Sequence, residues 1–520
     1  MSDVAPSHVH VAIVGSGFGG IGTAIRLMQE GIHDFVVLER ADDVGGTWRD
    51  NTYPGCACDV PSHLYSFSFA PNPEWSRRFS PQPEILEYLK AVAARYGVLP
   101  HVRLGHSVVD AAWDEGQRRW RLQTSKGTFT ADVLVGAAGG LSTPSIPALK
   151  GLDRFQGKVF HSATWDHGVD LTGRDVAVIG NGASAIQFVP EIQPQVGRMV
   201  TYQRTPSWIL PRSNGPVGDG ARSLFRSLPA AQLATRGAIY ATTELFGLGF
   251  RHPVLMKPLQ KLALGYLERE VQDPLLRAKL TPNYTLGCKR ILFSTKYYRA
   301  LTQPNVEVVT DGIREVTARG IVTADGRERA CDTIIFGTGF EVTNTPFSKS
   351  VRGRGGKTLT ETWDGSPRAH LGTTVSGYPN FFIILGPNTG LGHTSVVYMI
   401  ESQIEHVVNA VLYMREHGVT AVEPKPEVQA AFLADVDRRL GPTVWNSGGC
   451  ASWYLDKTGR NSTLWPDATW RFRRRVQRFD PAEYQLSEAL PVPLSAPERK
   501  ASARAASAAV ARPARGEARS

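Results

Sequence analysis

Val9 to Val14 is a short, mostly apolar run that leads straight into Gly15-Ser-Gly17-Phe-Gly19-Gly20. A helix-like segment, Ile21 to Gln29, follows and ends at Gly31; Phe35 to Leu38 is a second apolar run closing on Glu39. This order predicts strand, turn, helix and strand around a G-x-G-x-x-G turn, the fingerprint of a dinucleotide site. Gly15 permits the tight turn, Gly17 lets a pyrophosphate approach the backbone, and Gly20 lets the helix pack on the strand. Glu39, at the end of the second strand, is placed to accept from a ribose 2′-hydroxyl. The pattern returns at Asp175. Val176 to Ile179 is apolar, Gly180-Asn-Gly182-Ala-Ser-Ala185 opens a second helix, and Met199 to Tyr202 is the next strand. Ala185 replaces the last glycine, which close helix–strand packing tolerates.

The two units differ at one informative position. Glu39 stands 24 residues after Gly15, and Arg204 stands 24 residues after Gly180. An acid there suits a free ribose hydroxyl and an arginine suits a 2′-phosphate. The first unit is therefore expected to hold FAD and the second NADPH. Val133-Leu-Val-Gly-Ala-Ala-Gly-Gly140 and Thr333-Ile-Ile-Phe-Gly-Thr-Gly-Phe340 resemble each other and read as late strands of the two units, where the chain crosses between them.

The fold class expected is α/β, with two Rossmann-like domains. Residues 1–150 start the FAD domain, 151–375 form the NADP domain with a helical insertion at about 212–280, and 376–490 return to the first. In the return, Phe381 to Leu385 reads as a strand and Ser395 to Glu416 as a helix. Residues 491–520, rich in Ala, Arg, Ser and Pro, read as a disordered tail.

Composition narrows the possibilities. Hydrophobic residues make up 42% and charged residues 20%, an ordinary balance for a globular protein. Of the net charge of +10, +4 belongs to Ala496–Ser520, and no basic block elsewhere would track a phosphate backbone. Nucleic acid is not an expected partner. The longest apolar stretch, Gly237 to Phe250, has only fourteen residues and contains Glu244, too short for the roughly 18 residues of a membrane span. A cytoplasmic monomer or small homo-oligomer is expected. The five cysteines, Cys56, Cys58, Cys288, Cys331 and Cys450, have neither the density of a disulfide framework nor metal-site spacing, and read as idle thiols. No metal is expected.

Two nucleotide sites in one chain imply a flavoprotein fed with hydride by a nicotinamide. Cys56-Ala-Cys58 has the wrong spacing for a disulfide reductase. Phe155-Gln-Gly157-Lys-Val-Phe-His161-Ser-Ala-Thr-Trp165-Asp166 reads F-x-G-x-x-x-H-x-x-x-W-D, and Gly45-Gly46-Thr47-Trp48 runs on to Tyr53-Pro-Gly55-Cys-Ala-Cys-Asp59. Together these resemble the two signatures of the type I Baeyer–Villiger monooxygenases, a resemblance running from about residue 8 to 490.

The resemblance implies site residues. Thr47, Trp48, Asp59 and Tyr65 join the flavin contacts. Arg290, in Gly287-Cys-Lys289-Arg290, matches the active-site arginine, and Asp59 the acid paired with it. Lys289 and Thr205 join Arg204 on the 2′-phosphate, and Trp453 matches a loop tryptophan that contacts NADP and closes the pocket. Phe155, Gly157, His161, Trp165 and Asp166 are expected in a linker between the domains, with His161 in a conformational role. The activity implied is NADPH- and O₂-dependent conversion of a ketone to an ester or lactone through a C4a-peroxyflavin. An N- or S-oxygenating flavin monooxygenase is the alternative, and a non-catalytic NADPH-sensing flavoprotein a remote one. Taken alone, Lys289-Arg290 would read as a solvated charge pair and His161 as a hydrogen-bonded structural histidine.

Overall fold

The computed structural model describes residues 7–488; the expectation for the tail lies outside them. The first unit opens with strand β1 (Ser7–Val14), helix α1 (Phe18–Gln29) and strand β2 (Phe35–Glu39). β1 lies between two parallel neighbours, with Val11 opposite Phe35 on one side and Val133 on the other. β2 and the second half of β1, Val11 to Val14, are buried on both faces, which is why they read as unbroken apolar runs and not as alternation. The sheet continues through Gly127–Gly136 to the antiparallel strands Arg119–Thr124 and Val108–Asp114. On its other side β2 pairs with Val102–Leu104.

The second sheet is all parallel, in the order Val306–Val309, Arg198–Tyr202, Asp175–Ile179, Thr333–Phe336, Lys158–His161. The helix Ala185–Ile192 follows its central strand as α1 follows β1. The fold is thus α/β with two Rossmann-type units. Within the second unit, between Arg198–Tyr202 and Val306–Val309, the helices Asp219–Ser227, Pro229–Arg251, Lys257–Glu270 and Pro274–Leu280 form the helical insertion.

The chain then comes back to the first sheet. Phe381–Ile383 pairs in parallel with Gly127–Gly136, and the long helix Val396–His417 packs on α1. Gly22 marks that contact: a Cβ there would meet the Ile404 side chain at 2.8 Å and the Phe67 ring at 2.9 Å. A single apolar cluster runs through both units, from Ile13 and Ile21 to Val178, Phe188 and Ile404.

One expectation is corrected here. The F-x-G-x-x-x-H segment is not a linker. Lys158–His161 is the edge strand of the second sheet, with Phe336 opposite His161. Its apolar residues have a sheet edge to cover, so they pair instead of crossing between the units.

Candidate active site

The two glycine turns are built alike. Gly15 has φ +103° and Gly180 φ +109°, values open to glycine and strained for other residues. A Cβ on Gly15 would meet the Ala137 carbonyl oxygen at 2.6 Å, and one on Gly180 would run into that of Gly337. Ala137 and Gly337 are the residues that leave the late strands of the two sheets, so the turn and that strand end fix each other. Gly17 and Gly182 face open space, with the nearest atoms 3.8 and 3.9 Å from a notional Cβ. Neither helix that follows carries a side-chain cap, which leaves first-turn amides for an anion.

Around the first turn lies a cleft of about 1340 Å³, its open mouth included. Gly15, Gly17, Glu39, Thr47, Trp48 and Tyr65 line it. Glu39 is already engaged: one oxygen accepts from the Ser16 amide (3.0 Å) and hydroxyl (2.6 Å). The other accepts from the Ala41 amide at 3.0 Å and lies 3.1 Å from Arg49 Nη1. Burial pushes its pKa up, but these partners outweigh it and hold the carboxylate charged. Trp48 Nε1 donates to the Tyr65 hydroxyl at 3.1 Å.

The catalytic candidates meet from opposite ends of the sequence. Arg290 forks onto Asp59, Nε to Oδ2 at 2.8 Å and Nη2 to Oδ1 at 2.8 Å, while Nη1 donates to the Leu391 carbonyl at 3.3 Å. Asp59 raises the arginine's pKa against the pull of burial, and Arg290 lowers that of the acid against burial. The pair is ionised and shaped, not a solvated surface pair. Its field reaches the hydroxyl of Tyr65, on the wall of the cleft.

Sequence reasoning missed a third member. Arg212 donates to the Asp59 carbonyl at 2.8 Å and lies 3.8 Å over the Phe79 ring. The parallel pairing of Ile209–Leu210 with Leu292–Phe293 sets it beside Arg290; no local motif signals that contact.

On the second unit, Arg204 is exposed and Lys289 half-buried. Neither pairs with a carboxylate among the described residues. Burial first, and then the charge of Arg204, depress the Lys289 pKa. Two cations facing one region without an acid between them suit a phosphate. Thr205 is beside them; its carbonyl accepts from Asn181 at 2.9 Å.

Of the fingerprint residues, Phe155 packs on the second sheet's cluster. Gly157 lies beneath the Phe155 ring, which a Cβ would meet at 2.6 Å. Trp165 packs edge-on to Phe160 and tilts against Phe188. Asp166 accepts from the Gly168 amide at 3.0 Å. His161 is 1% exposed, its Nδ1 accepts from the Ala163 amide at 3.1 Å, and its ring abuts Phe340. Burial brings its pKa down to about 4, so it is neutral at pH 7. Trp453 is 49% exposed, whereas its neighbour Tyr454 is buried.

The thiol expectation fails for one pair. Cys288 and Cys450 form a disulfide, their Cα atoms 6.1 Å apart. A separation of 162 residues hid it from spacing arguments. Cys56, Cys58 and Cys331 remain free.

Residues 8–220 match the family model described as flavin-binding monooxygenase-like. A Baeyer–Villiger monooxygenase of Streptomyces coelicolor is 52% identical over 494 residues, covering 94% of this chain and 95% of its own. Among solved structures, the closed form of cyclohexanone monooxygenase superposes with a TM-score of 0.84 at 29% identity, covering 93% of this chain and all of that one. OTEMO in complex with FAD and NADP also reaches 0.84, at 27% identity and with the same coverage. Likeness over nearly the whole chain, on a fold with two glycine-turn units and a forked arginine–aspartate pair between distant segments, has one reading: the chain belongs to the Baeyer–Villiger monooxygenase family.

Proposed function

We propose that Arg290 and Asp59 are the catalytic pair of this NADPH- and O₂-dependent flavin monooxygenase, which converts ketones to esters or lactones. The observation that carries the proposal is the two-pronged Asp59–Arg290 ion pair beside the cleft wall. FAD, when bound, supplies the chemistry that takes hydride from NADPH and activates dioxygen. This chain's residues do the rest. The Gly15 turn, the free amides of α1 and Glu39 suit the dinucleotide, with Thr47, Trp48 and Tyr65 along the cleft. Gly180, Gly182, Ala185, Arg204, Thr205 and Lys289 are assigned to the nicotinamide cofactor and its 2′-phosphate, and Trp453 to the loop over it.

Arg290 keeps its charge at any working pH. It can therefore stabilise negative charge that develops on oxygen during attack on a carbonyl. Asp59 fixes the plane of the guanidinium, and Arg212 holds the Asp59 backbone in place. Residues 1–150 and 376–490 are assigned to FAD and 151–375 to NADPH, with the return to the first unit beginning before 376, since Val351–Arg352 already pairs with Val108–Asp114 of the first sheet. The enzyme is placed in the cytoplasm as a monomer or small homo-oligomer acting on small molecules.

The test is turnover of cyclic, linear and aryl ketones, alongside sulfides and amines, with NADPH under ¹⁸O₂, with products identified by mass spectrometry. An ester or lactone carrying one labelled oxygen is the expected product. Labelled sulfoxides or N-oxides, with every ketone left intact, would replace this reading with the N- or S-oxygenating one.

A further inference from the structure

Arg290 and Trp453 come from segments 163 residues apart, and the Cys288–Cys450 bond joins those segments. Cys288 immediately precedes Lys289 and Arg290; Cys450 lies three residues before Trp453 and four before Tyr454. The contact beside the bond is tight, since a Cβ on Gly448 would meet the Cys288 Cβ at 2.6 Å. The Thr285 amide donates to the Gly448 carbonyl at 3.0 Å, one residue before the loop leaves the fold. Beyond it, no backbone hydrogen bond holds Gly449, Cys450 or Ala451 among the described residues. The next anchors are the turn at Ser452, which caps the Tyr454 amide at 3.2 Å, and the buried Tyr454 ring. The disulfide is thus the main tie across residues 449–451.

We propose that Cys288–Cys450 is a reversible thiol–disulfide site whose reduction frees the Trp453 loop from the Arg290 turn and weakens retention of the nicotinamide cofactor. Cys288 is buried and Cys450 half-buried, so an incoming thiolate reaches the Cys450 sulfur. Attack there forms a mixed disulfide and releases Cys288 as thiolate. A second thiol of the reductant, a dithiol, displaces Cys450 and takes the bond as its own disulfide. The reverse uses hydrogen peroxide: one thiolate attacks it to give sulfenic acid while hydroxide departs and takes a proton to become water, and the other thiol then displaces the sulfenic oxygen as a second water to restore the bond. Burial pushes the remaining thiols, Cys56 and Cys331, up to about 12 and Cys58 higher still, so they compete poorly.

The proposal takes the nicotinamide role of the Trp453 loop from the proposed function. It is tested first by readouts that need no turnover. Alkylation of the denatured holoenzyme should trap three thiols as purified and five after dithiothreitol, and peroxide should return the count to three. Limited proteolysis should then cut within residues 447–459 faster in the reduced form. Titration with NADP⁺, followed by flavin fluorescence, should give a Kd about tenfold higher, because affinity falls with the fraction of closed loop. Cys450→Ser should behave as the reduced protein and ignore peroxide; should that variant not fold, reduced wild type carries the same comparison. Five thiols that peroxide cannot convert to three, or a reduced form with unchanged proteolysis and unchanged Kd, would overturn the proposal. A change in loop cleavage without a change in Kd would leave the thiol site standing and refute only the nicotinamide role of the loop.

Discussion

Arg290 illustrates what a single side chain contributes in this fold. Its guanidinium is gripped along one edge by both Asp59 oxygens and held at Nη1 by the Leu391 carbonyl, so the charge cannot swing away as a lysine's would. Arg290→Ala should leave FAD bound, since no part of the Gly15 turn depends on it. Ester formation should fall on the order of 10²–10³-fold or more, with oxygen consumed as hydrogen peroxide instead. Flavin absorbance and product yield measure the two effects. Asp59→Ala should give a milder version, because it orients the charge without supplying it. His161 allows a different prediction. Buried and neutral, it titrates near pH 4 in the folded chain and near 6.5 when unfolded. Between those values the unfolded chain binds more protons, so its contribution is full above pH 6.5 and is lost as pH falls towards 4. His161→Gln should therefore flatten the fall in melting temperature over that window, by on the order of 1–3 kcal/mol of pH-dependent stability.

At the scale of elements, the two glycine turns are near copies with one difference. A Cβ at Gly20 would overlap the Gly15 carbonyl, whereas the second unit already carries Ala185 at that place. Gly20→Ala should cost the protein its flavin and much of its soluble yield. Gly182→Ala is the contrasting case, with nothing nearer than 3.9 Å to clash with. Its stability should stay within the roughly ±0.5 kcal/mol of a harmless surface change, while NADP⁺ affinity falls, since the methyl would project into the space assigned to the pyrophosphate. Calorimetry and NADP⁺ titration separate the two outcomes. These turns were legible in the sequence because each is local: strand, glycines and helix follow one another within a few residues. Arg212, the disulfide and the strand pairing of Lys158–His161 were not. Each depends on a partner far along the chain, and neither an arginine after a two-residue strand nor a pair of single cysteines carries spacing that names its partner.

Across the whole molecule, the loop bearing Asp59 lies over the first helix of the second unit. Gln187, on that helix, accepts from the Tyr53 hydroxyl at 3.0 Å and donates to the Ala57 carbonyl at 3.0 Å. One amide thus joins the two units at points six and two residues before Asp59. Gln187→Ala should leave both units folded yet loosen that loop. A loss of about 1–3 kcal/mol is expected for the stranded partners, together with more NADPH oxidised per ester formed. Thermal melts and the ratio of NADPH consumed to product measure both. The overall plan was readable because the acid at 39 and the arginine at 204 label the two units chemically; how the units meet was not, because that surface is written in single residues.

The return of the chain to its first sheet also sets an order of events during synthesis. β1 and α1 leave the ribosome well before Phe381–Ile383 and the helix Val396–His417, which complete their packing and are made only after the second unit. A nascent chain therefore has its glycine turn hundreds of residues before it has the walls around it. Flavin loading becomes one of the last steps of maturation, and truncated translation products lack the finished cleft in which reduced flavin could meet oxygen and leak peroxide into the cell.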